Sequence, residues 1–296
     1  MLLDGLFSPK EVQKRPWIML FIGFVYAGLA MPIAYFVDRT HSSMIMVILT
    51  VMASMPFIYN TLKYEEKKDE NCCDERKLLK EHSKAIMSFL FLFIGITLAF
   101  SFGKIFLPPD VTDQLFSSQD TTIRAMNDGI IVGECQKSSL TTNFYHFLGY
   151  ISHNMVVLIL SILFAFIYGL GAIYIIVWNA SILGLAIGNF VSTNLGKLSS
   201  VAGAEGIQGY FQVYSCAYFI RYLPHGIIEI AAYLVAGLAG GIISIAIIRH
   251  TFGTKKFTTV LIDSVDLIAI SILLLAIAAF VEAFITIDVL CVWLCT

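Results

Sequence analysis

Hydrophobic and polar positions fall in long blocks along this chain, not in the short alternations of a soluble fold. Apolar runs of about 20 residues or more suit a hydrocarbon core roughly 30 Å thick. They occur at 17–37, 44–62, 85–107, 147–178, 224–248 and 259–285. A shorter run, 180–195, precedes the Gly- and Ser-rich stretch 196–209, which reads as loop. The pattern predicts an all-α polytopic membrane protein with about seven transmembrane helices. The run at 180–195 is short for a span and is expected to cross in part or to re-enter. Trp178 and Asn179 mark the end of the fourth span, with Gly169 and Gly171 in its middle. Pro32 and Pro56 are expected to kink or end their helices.

The polar blocks divide the chain further. Residues 1–16 read as a short helix on the cytoplasmic side, with Ser8-Pro9-Lys10-Glu11 resembling a capping box. Residues 63–84 form a charged arm in which acids and bases recur at helical spacing. A solvated helical extension or hairpin is expected there, with docking of a soluble partner as the sharper reading. Residues 108–146 open on Pro108-Pro109 and are long enough for a small ordered cap outside the membrane. Lys104 is placed to snorkel outward. The chain is read as two regions. Residues 1–146 hold three spans, the arm and the outer loop; residues 147–296 form a core around the helix at 224–248.

Charge orients the bundle. Of the 19 lysines and arginines, only Arg39, Lys104, Arg124, Lys137, Lys197 and Arg221 fall outside when the N-terminus is cytoplasmic and all seven runs cross. That satisfies the positive-inside rule. Composition agrees: 58% of residues are hydrophobic and 14% charged, with a mean hydropathy of +0.81. A soluble domain carries nearer a quarter charged residues. No basic cluster interleaved with aromatics points to nucleic acid. Cys72 and Cys73 fall on the reducing side. Cys135, Cys216, Cys291 and Cys295 fall outside or at the outer boundary. Two expectations stand for them: at least one disulfide, or burial as small apolar residues.

Candidate chemistry gathers on 224–248, Pro-His-Gly-Ile-Ile-Glu onward. Pro224 suits a first helical turn. His225 and Glu229, four residues apart, share a helix face. By depth, Glu282 and Asn154 reach a similar level in the outer half, so a buried polar cluster of His225, Glu229, Glu282 and Asn154 is expected. Ionisable residues in a membrane helix normally face the protein interior or a wet cavity. The cluster reads first as a hydrogen-bonded lock, next as a transport or gating site, and last as a metal or catalytic site. No Walker loop, nucleophile elbow or zinc spacing appears, so neither catalysis, metal nor cofactor is expected. Gly169, Gly184, Gly188, Gly237 and Gly240 are expected to admit close helix packing. Tyr210, Tyr214, Tyr218 and Tyr222 form an aromatic stripe suited to an interfacial helix.

These residues carry a resemblance. Asn154, Gly169, the Trp-Asn-Ala-Ser-Ile-Leu-Gly of 178–184, the Leu-Pro-His-Gly-Ile-Ile-Glu of 223–229 and the Val-Glu-Ala-Phe-Ile-Thr of 281–286 resemble the core of the stage II sporulation protein M family. Residues 8–17, 49–56 and 78–82 resemble its archaeal branch. The resemblance implies a multi-pass cell-membrane scaffold without catalytic residues. In spore-forming bacteria the family member belongs to a machine that holds cell-wall hydrolases during engulfment. The expected function is therefore a membrane scaffold, assembly or membrane-remodelling protein. The alternative is a transporter, channel or lipid-moving protein using the outer Glu–His cluster. Expected partners are membrane lipid, a second copy in a homodimer, and a protein at the charged arm.

Overall fold

A computed structural model describes residues 9–69, 75–128, 140–165, 170–198, 209, 223–248 and 254–286. A four-residue helix α1 (Pro9–Val12) leads into α2 (Ile18–Val37), α3 (Ser42–Asp69) and α4 (Glu75–Phe106). Two short helices follow, α5 (Pro109–Leu115) and α6 (Ser117–Asp128). Then come α7 (Leu140–Ala165), α8 (Leu170–Leu198), α9 (Leu223–Ile248) and α10 (Lys255–Val281), which widens into a π-helical turn at Glu282–Thr286. Among the described residues, 7 helices are long and apolar enough to cross a membrane. The chain is an all-α polytopic membrane protein.

Two boundaries differ from the sequence reading. The fourth run does not extend to Trp178. α7 ends at Ala165, and Trp178 and Asn179 lie inside α8, whose apolar span runs from Ile173 to Asn194. Asn179 does not break this helix, because its side-chain amide donates to the Ile175 carbonyl at 2.8 Å. Asn194 does the same to Phe190 at 2.8 Å. Locally satisfied asparagines are tolerated in lipid, where an orphaned amide is costly. The second difference concerns the prolines. α2 and α3 continue through Pro32 and Pro56, so neither ends its helix.

Glycine contacts show the direction of the helices. A Cβ on Gly184 would meet Phe100 and Thr97, and one on Gly188 would meet Lys104. Residue numbers rise together, so α4 and α8 run parallel. α7 must then run the opposite way between them, and α8, whose apolar span covers Ile173–Asn194, is long enough to cross fully. Likewise Gly95 lies against Leu20 and Gly103 against Met31, so α2 and α4 are parallel. In these pairs the glycine of one helix admits the backbone or a side chain of the other at close range, as close packing in a membrane requires.

The hub is α9. Of its apolar window 89% is buried, against 17% for α7 and 28% for both α2 and α10, so α2, α7 and α10 form the rim. A Cβ on Gly240 would meet Ala165 and Ile162 of α7, and Gly241 lies against Leu62 of α3. Gly237 lines a small apolar cavity with Leu62, Phe89 and Ile173. These small-residue faces are therefore filled within the chain.

The outer loop forms the predicted cap in part. α5 is held by Lys104, whose Nζ donates to Thr112 Oγ1 at 3.2 Å and pairs with Asp113 at 3.8 Å. α6 sends Gln119 into the bundle, fully buried. Ser43 donates to Gln119 Oε1 at 2.6 Å, and Gln119 Nε2 donates to Ser181 at 3.1 Å. One amide thus ties the cap to α3 and α8. In the turn between α2 and α3, His41 Nδ1 lies 2.8 Å from Asp38, with the Thr40 N–H also at 2.8 Å. The His41 hydrogen bond, chiefly, holds the Asp38 carboxyl below its usual range.

Candidate functional site

α9 presents three polar side chains in one line. His225, Glu229 and Tyr233 recur every four residues, one helical turn apart. Tyr233 is buried and its hydroxyl donates to Glu229 Oε1 at 2.7 Å. α9 and α10 pack antiparallel, which brings the start of one beside the end of the other. His225 Nε2 stands 3.9 Å from Glu282 Oε1, within ion-pair reach but too far for a hydrogen bond. Glu282 opens the π-helical turn, a widening that re-aims side chains at helix ends. His225 and Glu229 share one face of α9, so Glu282 approaches the face that carries Glu229.

Three of the four expected cluster residues thus come together. Asn154 is buried in α7 and, among the described residues, makes no hydrogen bond to the other three. Tyr150, one turn earlier on α7, takes that place. Its ring stacks on His146 at 6.3 Å, and Phe147 meets Phe284 at 6.5 Å. Tyr233 and Tyr150 were legible as continuations of the Glu229 and Asn154 spacings. Among the described residues, no lysine or arginine pairs with either glutamate, and no group of three His, Cys, Asp or Glu side chains is placed to hold a metal ion. The cluster has groups that can hold or share a proton. Inward from Tyr233, α9 continues as buried Leu234, Val235, Ala236, Leu238 and Ala239. It carries no polar side chain before Ser244.

A second buried site lies at the other end of the bundle. Glu65, fully buried on α3, accepts from Gln13 Nε2 at 2.7 Å and Lys68 Nζ at 2.8 Å. Its second oxygen lies 2.9 Å from His82 Nδ1 of α4. Lys68 also donates to Gln13 Oε1 at 3.0 Å, pairs with Glu81 at 3.4 Å and sits over the Tyr64 ring. The sequence reading took this arm as a solvated face. At Glu65, Glu66 and His82 that reading is corrected, because all three are buried. Three segments distant in sequence converge there: the residue after α1, the end of α3 and the start of α4.

Ser8 of the expected capping box, Cys72, Cys73, Gly169, the tyrosines 210, 214, 218 and 222, and the cysteines 135, 216, 291 and 295 lie outside the described residues.

The family model described as Stage II sporulation protein M matches residues 86–287. The match begins inside α4 and ends just past the π-helical turn, so it takes in His225, Glu229 and Glu282 and leaves out the Glu65 site. No curated protein and no solved structure matches the chain significantly. With the match covering more than half its length, the chain belongs to the stage II sporulation protein M family.

Proposed function

We propose that this protein is a non-enzymatic scaffold of the cell membrane that organises partners or remodels the membrane around its charged arm. The observation that carries this reading is the Glu65 site. α3 and α4 continue past the apolar spans toward the charged arm, and a buried carboxylate with three partners fixes their base to the N-terminal segment. Such a joint presents the arm in one orientation, which suits docking.

The runner-up is a transporter, channel or lipid-moving protein that uses the outer cluster. The approach of His225 to Glu282, with Glu229 one turn along α9, favours it. The buried apolar stretch inward from Tyr233 speaks against a polar path along α9. Substitution separates the two. As a lock, Glu229→Gln or His225→Ala lowers stability by about 1–3 kcal/mol, the cost of a buried polar group losing its partner. Proteoliposomes bearing either variant, or the unaltered chain, then show equal background flux of protons and labelled lipid. Flux by the unaltered chain that Glu229→Gln abolishes, with the fold intact by thermal melting, overturns the scaffold reading.

A further inference from the structure

α10 carries an acid on its outward face. Asp266 is exposed, and it forms no ion pair or hydrogen bond among the described residues. Around it the same face is apolar: Ile262, Val265, Leu273 and Ile277 are all exposed. No cation lies within a helical turn of it, and Asp263, three residues earlier, has the same sign. Counting 1.5 Å per residue, Asp266 sits about 28 Å from Ile285 at the outer end, at the inner rim of the hydrocarbon core. A carboxylate on a lipid-facing helix surface there is unfavourable unless something pairs with it.

The complement is on the same chain. Lys14 and Arg15, just before α2, are exposed and form no ion pair among the described residues. By the same count Arg15 lies about 33 Å from Val37, so it reaches the level of Asp266 within one arginine side chain. α2 and α10 both run from the inner to the outer side. They are not neighbours within one chain. α3 has α2, α4, α8, α9 and α10 packed around it, each of the five touching the next. Its one open sector therefore lies between α2 and α10. An exposed ridge fills that sector, Ile48, Met52 and Tyr59, at spacings of one and two turns. Methionines adapt to a facing surface.

We infer that the α2–α3–α10 face is a twofold interface with a second copy of this chain, closed at the inner rim by Arg15 of each copy on Asp266 of the other. A twofold axis along the membrane normal, passing beside α3, sets α2 of one copy against α10 of the next. It preserves their common direction and makes both ion pairs at once. Packing α10 against α10 would instead set Asp266 against Asp266. Arginine suits the pairing because its fork matches a carboxylate and is more weakly hydrated than an ammonium. The interface does not depend on what the arm binds, so it stands or falls apart from the scaffold reading.

Charge reversal tests it. The full chain in lipid nanodiscs, weighed by native mass spectrometry, is expected to hold two copies per particle. Arg15→Asp or Asp266→Arg each breaks both pairs and raises the dimer dissociation constant by about tenfold or more, while the double reversal restores it. Met52→Cys, close to the axis, is expected to link two copies on oxidation above the background of the native cysteines. A wild type that stays monomeric, or a dimer indifferent to both single reversals, overturns the interface. Arg15→Asp alone lowering the number of anionic lipids retained on the protein in the mass spectrum, with the copy number unchanged in Asp266→Arg, gives Arg15 to anionic lipid and also overturns it. Thermal melting of each variant separates lost pairing from lost folding. If a reversal does not fold, the Met52→Cys link decides alone: its absence refutes the interface.

Discussion

Glu65→Ala is expected to destabilise the protein by about 3–5 kcal/mol, the usual loss when one partner of a buried ion pair is removed. The size follows from what remains. Lys68, His82 and Gln13 keep their positions around a void and lose their common acceptor. Lys68 retains Glu81 at 3.4 Å, a more exposed partner that offsets little. Glu65→Gln keeps the shape and one acceptor oxygen, so its loss should be smaller. Unfolding in one detergent, with lipid present, reads both. The arm reports the same event locally: limited proteolysis should cut between Asp69 and Glu75 faster in Glu65→Ala than in the unaltered chain. An alanine variant within about 0.5 kcal/mol of wild type, the range of an ordinary surface substitution, would show that the site does not hold the arm.

Gly95→Ala should cost about 3 kcal/mol, the upper part of the range for overpacking. The added methyl would press into the Leu20 backbone, its oxygen, carbon and Cα, nearer than side chains ever approach. Backbone cannot rotate aside, so α2 must shift away from α4. Gly28→Ala supplies the contrast on the same α2: nothing lies within 4 Å of its added Cβ. There the better helix propensity of alanine should be neutral or stabilising by about 0.5–1 kcal/mol. Thermal melting of the two variants side by side checks the difference. Equal behaviour would mean that α2 is not seated on α4 as described.

Much of the fold was legible because a bilayer leaves few choices. A long apolar run must be a helix, and the lysine and arginine bias sets its direction. The boundary between α7 and α8 was not legible. Trp178-Asn179 looks like an interfacial end, and only the hydrogen bond from Asn179 to Ile175 shows why the helix runs on. At the outer cluster the four-residue spacing of His225 and Glu229 was visible; its extension to Tyr233 follows the same spacing but is absent from the sequence reading. Glu282 was legible too, since consecutive spans run antiparallel and bring it to the depth of His225; that Asn154 makes no hydrogen bond to them depends on which face of α7 meets α9, which spacing does not reveal. The Glu65 site was hidden differently. Its residues sit in a stretch where charge alternates at i,i+3 and i,i+4, the usual mark of a solvated face. Folding the chain back between Asp69 and Glu75 brings Glu65 to His82, just as it brings Phe57 to Phe89, their rings 6.0 Å apart. Gln13 completes the set from 52 residues away, and no spacing rule reaches that far.

The scaffold claim is tested most directly by asking what the arm touches in the membrane of living cells. A photo-reactive amino acid at Lys63 or Lys67, both exposed on α3 beside the buried Glu65 site, would be activated in cells and the adducts resolved by mass. A scaffold yields a discrete protein adduct from these positions that diminishes when Glu65→Ala releases the arm. Only lipid adducts, unchanged by Glu65→Ala, would contradict it.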